Sequence, residues 1–142
     1  MKLRLTKQFD FQMAHTLSAY PGKCRNIHGH NYKLFVAVEN EEACDTCTQI
    51  NYNSGMLMDF TALKSLVENE IIEVFDHAFV VPQDSPYANI ENTKKIVLPF
   101  QPTCENLLLY FATLLNDKLP EGVRLYSLKI HETETSFAEL IL

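Results

Sequence analysis

Apolar and polar residues alternate along three stretches of this chain and recur at helical spacing along two others. Leu3, Leu5, Phe9, Phe11 and Met13 mark a long half-buried strand, with a slip near Lys7-Gln8 that predicts a bulge, and the strand delivers His15 to its end. After a loop containing Pro21-Gly22, a second run places Tyr32, Leu34, Val36 and Val38 on one face and Lys33, Phe35, Ala37 and Glu39 on the other. Two such strands in succession pair most simply as antiparallel neighbours. From Phe60, the residues Leu63, Leu66, Val67, Ile71, Val74 and Phe75 follow helical periodicity, with Asp59 placed to cap the N-terminus and a stop at Asp76-His77. A second helix is expected from Pro102-Thr103, capped by Thr103, through Leu107, Leu108, Phe111, Leu114 and Leu115 to Pro120. Val123 to Glu132 alternates again, with Arg124, Tyr126, Leu128 and Ile130 on one face, and Ser136 to Leu142 forms a last strand.

Three segments remain. Asn40 to Gly55 is polar and reads as a loop. Ala78 to Val81 is apolar but too short to assign. Pro82 to Lys95 is a long polar stretch with two prolines, of the kind that serves as a site lid or an interface element. The order strand, strand, helix, helix, strand, strand predicts an α+β fold: a four-stranded antiparallel sheet with both helices on one face. Its other face and its two edges are left open, and closing several sheets into a shared barrel by oligomerisation would cover them.

At 142 residues the chain has the length of a single domain, 1–142. A formal net charge of -6 and the lack of any Lys/Arg run exclude a surface that displaces counterions from nucleic acid, so a small molecule is the expected partner. The N-terminus has no continuous apolar block suited to a signal peptide or a membrane span, which predicts a cytoplasmic protein. In a reducing compartment Cys24, Cys44, Cys47 and Cys104 are expected as free thiols or metal ligands rather than disulfides. Cys44-Asp45-Thr46-Cys47 lacks the second pair or helix start that would make it a zinc or redox motif.

The chemistry concentrates at Cys24-Arg25-Asn26-Ile27-His28-Gly29-His30-Asn31-Tyr32. In an extended chain His28 and His30 project from one face, and pairing of the first two strands brings His15 near them. Three imidazoles without a nearby fourth protein ligand match a catalytic zinc site with an open position. Cys24, flanked by Lys23 and Arg25, suits a thiolate base or nucleophile; it also suits a small buried side chain. Asp76 beside His77 can set an imidazole's tautomer, or the two can cap a turn and balance a helix dipole. Glu132 can accept paired N–H bonds from the guanidine-like edge of a pterin or guanine, or be a solvated turn residue.

Six motifs in order extend over nearly the whole chain: Phe11-Gln12-Met13-Ala14-His15, Cys24 with His28-Gly29-His30-Asn31-Tyr32, Gly55-Met56-Leu57-Met58-Asp59-Phe60, Asp76-His77, Pro102-Thr103-Cys104-Glu105-Asn106, and Glu132-Thr133 followed by Ala138. Together they resemble the 6-pyruvoyl- and 6-carboxy-tetrahydropterin synthase family. The resemblance implies a tunnelling fold assembled as a trimer or a dimer of trimers, with active sites between subunits. It implies zinc on His15, His28 and His30, Cys24 as proton-abstracting base, Asp76 and His77 as a relay from a neighbouring subunit, and Glu132 as pterin anchor with Thr103 and Glu105 nearby. The three residues between Cys24 and His28 are similar to the bacterial carboxy-forming branch. That branch converts 7,8-dihydroneopterin triphosphate to 6-carboxy-5,6,7,8-tetrahydropterin, acetaldehyde and triphosphate, for 7-deazaguanine and queuosine synthesis. The pyruvoyl-forming reaction, which releases triphosphate only, and a zinc-dependent pterin- or purine-binding module without turnover are the alternatives. Cys104 and the Cys44/Cys47 loop depart from the family pattern.

Overall fold

Strand β1, Arg4–His15, pairs antiparallel with β2, His28–Asn40, without interruption from Arg4 opposite Glu39 to His15 opposite His28. These elements belong to a computed structural model that describes residues 3–40 and 55–142; most of the segment read as a loop, with Cys44 and Cys47, lies outside the described residues. The bulge expected at Lys7-Gln8 does not form. Lys7 keeps the parity of Leu5 and Phe9 and is half-buried, so the strand continues in phase through a polar residue.

The irregularity lies one strand away. β2 pairs antiparallel with β5, Val123–His131, and the register shifts between Ala37 and Val38, leaving Tyr126 as the extra residue on β5. A bulge of this kind reverses which face each side chain meets. Val123 and Leu125 are therefore buried on one side of it and Leu128 and Ile130 on the other, whereas Arg124 is exposed. The single face predicted for Arg124, Tyr126, Leu128 and Ile130 is thus split. On the outer face Arg124 Nε lies 2.9 Å from Glu39 Oε1, and Arg4 Nε lies 3.0 Å from Glu39 Oε2 while its guanidinium stacks on Tyr126. Glu39 is fully buried there, a position a carboxylate holds only when paired.

β5 pairs antiparallel with β6, Phe137–Ile141, which completes the predicted four strands. Two more extend the sheet. β3, Ala78–Pro82, runs parallel beside β1, and β4, Lys95–Leu98, runs parallel beside β3, giving the order β4-β3-β1-β2-β5-β6. All five residues of β3 are buried, so it shows the unbroken apolar run of a parallel strand rather than an alternation. The polar stretch from Pro82 to Lys95 is accordingly a crossover, since parallel neighbours need a connection of about a dozen residues.

Both helical rods pack on one face, as predicted. α1, Phe60–Val67, begins where the Asp59 side chain accepts a bond from Thr61 N. It continues through a π-helical turn, Glu68–Ile72, into a last turn, α2, Glu73–Phe75. Leu63, Val67, Ile71 and Phe75 are all at most 1 % exposed. A four-residue spacing overshoots an α-helix by about 40° at each step, and the wider π turn brings the stripe back onto the core. α3, Cys104–Asn116, is capped by Thr103 and buries Leu107, Leu108, Phe111, Ala112 and Leu115, with the Phe75 and Phe111 rings 5.0 Å apart. Among the described residues no helix is long and apolar enough to cross a membrane.

This phasing is checked by urea unfolding. Phe75→Ala is expected to lose about 3–5 kcal/mol, and the neighbouring Val74→Ala, 42 % exposed, to stay within about 0.5 kcal/mol of wild type.

Candidate metal centre

The β1–β2 register places His15 directly opposite His28, and His30 follows two residues on, facing the same side. His15 Nε2 and His28 Nε2 are 3.0 Å apart. Glu132, just beyond β5, brings Oε1 to 2.9 Å from His30 Nε2. One donor atom from each of His15, His28, His30 and Glu132 lies within 4.8 Å of every other. The sequence reading of three histidines with no fourth protein ligand nearby is corrected here: the carboxylate read as a pterin anchor stands among them.

The hydrogen bonds around the rings fix what these atoms can do. His15 Nδ1 is 2.9 Å from the Pro102 carbonyl, and His28 Nδ1 is 2.8 Å from the Asn26 carbonyl. A carbonyl only accepts, so both Nδ1 atoms carry the proton and both Nε2 atoms, when neutral, present lone pairs. Burial is the main cause that lowers the His15 pKa and keeps this ring neutral. Two lone pairs facing at 3.0 Å repel unless a cation or a shared proton lies between them. His30 Nε2 is buried and makes no well-angled hydrogen bond, even to the nearby Glu132 oxygen. The donor set therefore fits a divalent ion of the kind imidazole prefers.

Side chains behind the cluster hold it in place. The Tyr32 hydroxyl lies 3.3 Å from His15 Nε2, and burial pushes its pKa far up, so it stays a neutral phenol. Cys104, the first residue of α3, donates its S–H to Glu132 Oε2 at 3.1 Å. Burial and the Glu132 contact push that thiol up as well. Glu132 Oε2 is thus engaged by a donor, while Oε1 lies against His30 without a well-angled bond. Thr103 spends its hydroxyl on the α3 cap, accepting from Asn106 N at 3.3 Å, and Glu105 is exposed one residue beyond Cys104. Cys24 sits half-buried on a 3-10 turn, Lys23–Arg25, held by Leu17 N to Cys24 O at 2.9 Å and by Thr16 Oγ1 to Arg25 O at 2.6 Å.

Asp76 and His77 stand apart from the four donors. Asp76 Oδ1 accepts from Gln12 N at 2.8 Å, His77 N donates to Gln12 O at 2.6 Å, and Asp76 Oδ2 is 2.8 Å from His77 Nδ1. The Gln12 bond lowers the Asp76 pKa, with smaller help from His77 and Lys94. The Asp76 carboxylate thus contacts both the Gln12 backbone and the His77 ring at the end of the helix. A cavity of about 460 Å³ runs from His77 and Thr93 to Gly29, His30 and Asn31 on β2.

The sequence profile of the 6-pyruvoyl tetrahydropterin synthase family matches residues 4–141. The chain belongs to this family. It is 35% identical over 147 residues to the 6-carboxy-5,6,7,8-tetrahydropterin synthase of Haemophilus influenzae, covering 96% of each chain. It is also 35% identical over 118 residues to human 6-pyruvoyl tetrahydrobiopterin synthase, covering 81% of this chain and 68% of the human one. The 6-pyruvoyl tetrahydropterin synthase structure of Caenorhabditis elegans superposes with a TM-score of 0.70 at 22% identity, covering 100% of this chain and 96% of that one. The architecture is the α+β tunnelling fold of the synthase family, here with two parallel strands added to the predicted four.

Of the site residues named from sequence, the structure gathers His15, His28, His30 and Glu132, and leaves Cys24, Asp76, His77, Thr103 and the exposed Glu105 outside that group. Tyr32, Cys104 and the Pro102 carbonyl were not singled out for this role. Only Cys104 left a signal, as an unusual thiol at the start of a predicted helix.

Two measurements probe the centre. A Cβ added at Gly29 would meet Met13 O at 3.2 Å, so β1 must give by a few tenths of an ångström beside His28 and His30. Gly29→Ala is expected to weaken divalent-metal binding by about tenfold, the low end of what loss of ligand orientation costs, read by competition with a chromophoric chelator. The second concerns pH in metal-free protein. Folding lowers the His15 proton affinity, so below its unfolded value of about 6.5 the unfolded chain binds more protons. Stability should fall with pH there, by up to about 1.4 kcal/mol per pH unit until the folded value is passed, and His15→Asn should remove that share of the slope.

Proposed function

We propose that this chain is a zinc-dependent 6-carboxy-5,6,7,8-tetrahydropterin synthase, a cytoplasmic lyase acting in 7-deazaguanine and queuosine biosynthesis, with residues 1–142 forming one catalytic domain. Its substrate is 7,8-dihydroneopterin triphosphate and its products are the carboxypterin, acetaldehyde and triphosphate. The observation that carries this reading is the convergence of His15, His28 and His30 nitrogens with nothing but Glu132 to satisfy the last of them. The full-length similarity to the Haemophilus influenzae protein so named supports the choice of reaction.

His15, His28 and His30 would hold the zinc, which would supply Lewis acidity toward the hydroxyls of the substrate side chain. Cys24, as thiolate, takes a proton from the carbon framework. His77, oriented by Asp76, returns one elsewhere as the double bond shifts and triphosphate leaves. The carbon–carbon bond of the side chain then breaks, one water supplying the second carboxylate oxygen and the two-carbon fragment departing as acetaldehyde. Glu132 exchanges its contacts to Cys104 and His30 for two N–H groups of the pterin edge, with Thr103 and Glu105 flanking. Lys23 and Arg25, on the turn that carries Cys24, offset the triphosphate charge against a chain of net charge -6.

The reading includes a homo-oligomer, a trimer or a dimer of trimers, in which the Asp76–His77 pair of one copy faces the metal centre of another. The polar outer face of the sheet, the terminal strands β4 and β6, and exposed Phe137, Ile141 and Leu142 near β6 support such an assembly.

Incubation of zinc-loaded protein with 7,8-dihydroneopterin triphosphate should release acetaldehyde together with the carboxypterin. Triphosphate without acetaldehyde would instead assign the pyruvoyl-forming reaction named for the human relative. Cys24→Ala should lose about 10²–10⁴-fold in turnover while still binding pterin, and an undiminished rate would leave a binding module. Mixing inactive Cys24→Ala and His77→Ala chains through partial unfolding should restore activity, because an intersubunit site pairs the intact Cys24 of one with the intact His77 of the other.

A further inference from the structure

A helix leaves its last carbonyls without intrahelical partners, and at the end of α2 two of them converge on one ammonium. Lys94 Nζ donates to Glu73 O at 2.7 Å and to Asp76 O at 2.7 Å. Lys94 comes from the far end of the β3–β4 crossover, and its own backbone is pinned by Phe79 N to Lys94 O at 2.8 Å. The following residue ties the crossover to itself, with Lys95 Nζ bound to Ala88 O and Ile90 O.

His77 is where this bracing is needed. Its φ is 59°, a left-handed conformation that costs a non-glycine residue free energy and persists only where the surroundings over-determine it. Glycine or asparagine would relieve that cost at a helix end, yet neither carries an imidazole. Bonds to the Gln12 backbone fix the β1 side of the turn and Asp76 N donates to Ile72 O at 2.8 Å, while the Lys94 ammonium holds the Glu73 and Asp76 carbonyls.

We infer that Lys94 is a positioning residue for the Asp76–His77 pair: its ammonium clamps the helix-terminal carbonyls and so holds the strained His77 turn in the geometry that proton return requires. The inference rests on the proposed synthase reaction for its catalytic consequence, and on the geometry alone for the clamp. Lys94 touches neither the four-donor cluster nor Cys24, so its effect should be confined to the step that His77 serves.

Zinc-loaded full-length Lys94→Met and Lys94→Arg proteins test this. In Lys94→Met, exchange of the His77 amide should quicken and kcat should drop, each on the order of tenfold, with KM and bound zinc unchanged. Arginine, whose guanidinium also reaches two acceptors, should restore kcat to within about threefold of wild type. A lysine that merely adds stability would lower the melting temperature and leave kcat untouched, which overturns the inference. So does wild-type exchange at His77 in Lys94→Met, or a loss of kcat that follows loss of zinc. A wild-type protein that forms no carboxypterin defeats the synthase reading instead. The clamp is then decided by His77 exchange and the imidazole ¹⁵N signal: unchanged in Lys94→Met they refute it, shifted together they uphold it.

Discussion

Everything at the metal centre depends on the unbroken register between β1 and β2. Side chains alternate along a strand, so a slip of one residue would turn His15 away from His28 and His30 and expose the row of Phe9, Phe11 and Met13. The same pairing sets Phe11 opposite Tyr32, with rings stacked 5.2 Å apart, and that buried pair seals the floor on which the histidines stand. Hydrophobic burial along some twenty-odd ångströms of strand, which any slip would forfeit, is thereby converted into positional precision at one end. Gly29 belongs to that constraint. A Cβ there would press on Met13 O at 3.2 Å, tighter than an ordinary contact, between the two histidines it separates.

Precision alone would not make the cluster reactive; the hydrogen bonds behind it do. Carbonyls of Pro102 and Asn26 take the Nδ1 protons of His15 and His28, so the inward nitrogens have nothing to donate. Cys104 performs the matching task for Glu132 by donating to the oxygen that faces away from His30. Two of these groups, Pro102 and Cys104, come from the start of α3, whose placement is fixed by the Thr103 cap and by Leu107 and Phe111 beneath it. Core packing of a helix and electronic preparation of a metal site are thus the same contact seen from two sides.

What could be read from sequence was local. The caps at Asp59 and Thr103, the helical stripe ending before Asp76, and the parity that put His28 beside His30 each depend on neighbours within a few residues, and each is present. Features set by distant partners were not legible. β3 is buried on both faces and so has no alternation to betray it, and β4 exists only because β3 offers an edge. The bulge was sought at Lys7, where the apolar pattern falters, but a half-buried lysine stem can hold an inward position without shifting register. It formed at Tyr126, where Arg124 could then reach Glu39. Nor could spacing show that Glu132 and Cys104, separated by a helix and a strand, would meet.

β2 also explains why the site occupies the end of the sheet rather than its middle. Its even-numbered residues run from Val38 to Tyr32 within the core and then, as the covering helices give out, become His30 and His28. Its odd-numbered residues Gly29, Asn31 and Lys33 face the other way and line a cavity of about 690 Å³ that reaches Glu132 and His131. His30 opens onto the same cavity, so β2 joins the nitrogen donors, of which only His15 is fully buried, to a hollow that a ligand can enter. A ligand in that hollow meets the donors at His30, where Glu132 Oε1 stands 2.9 Å from Nε2. Placing the donors deeper would have buried unsatisfied imidazoles beyond the reach of any ligand, and placing them outside would have left them hydrated and without fixed geometry.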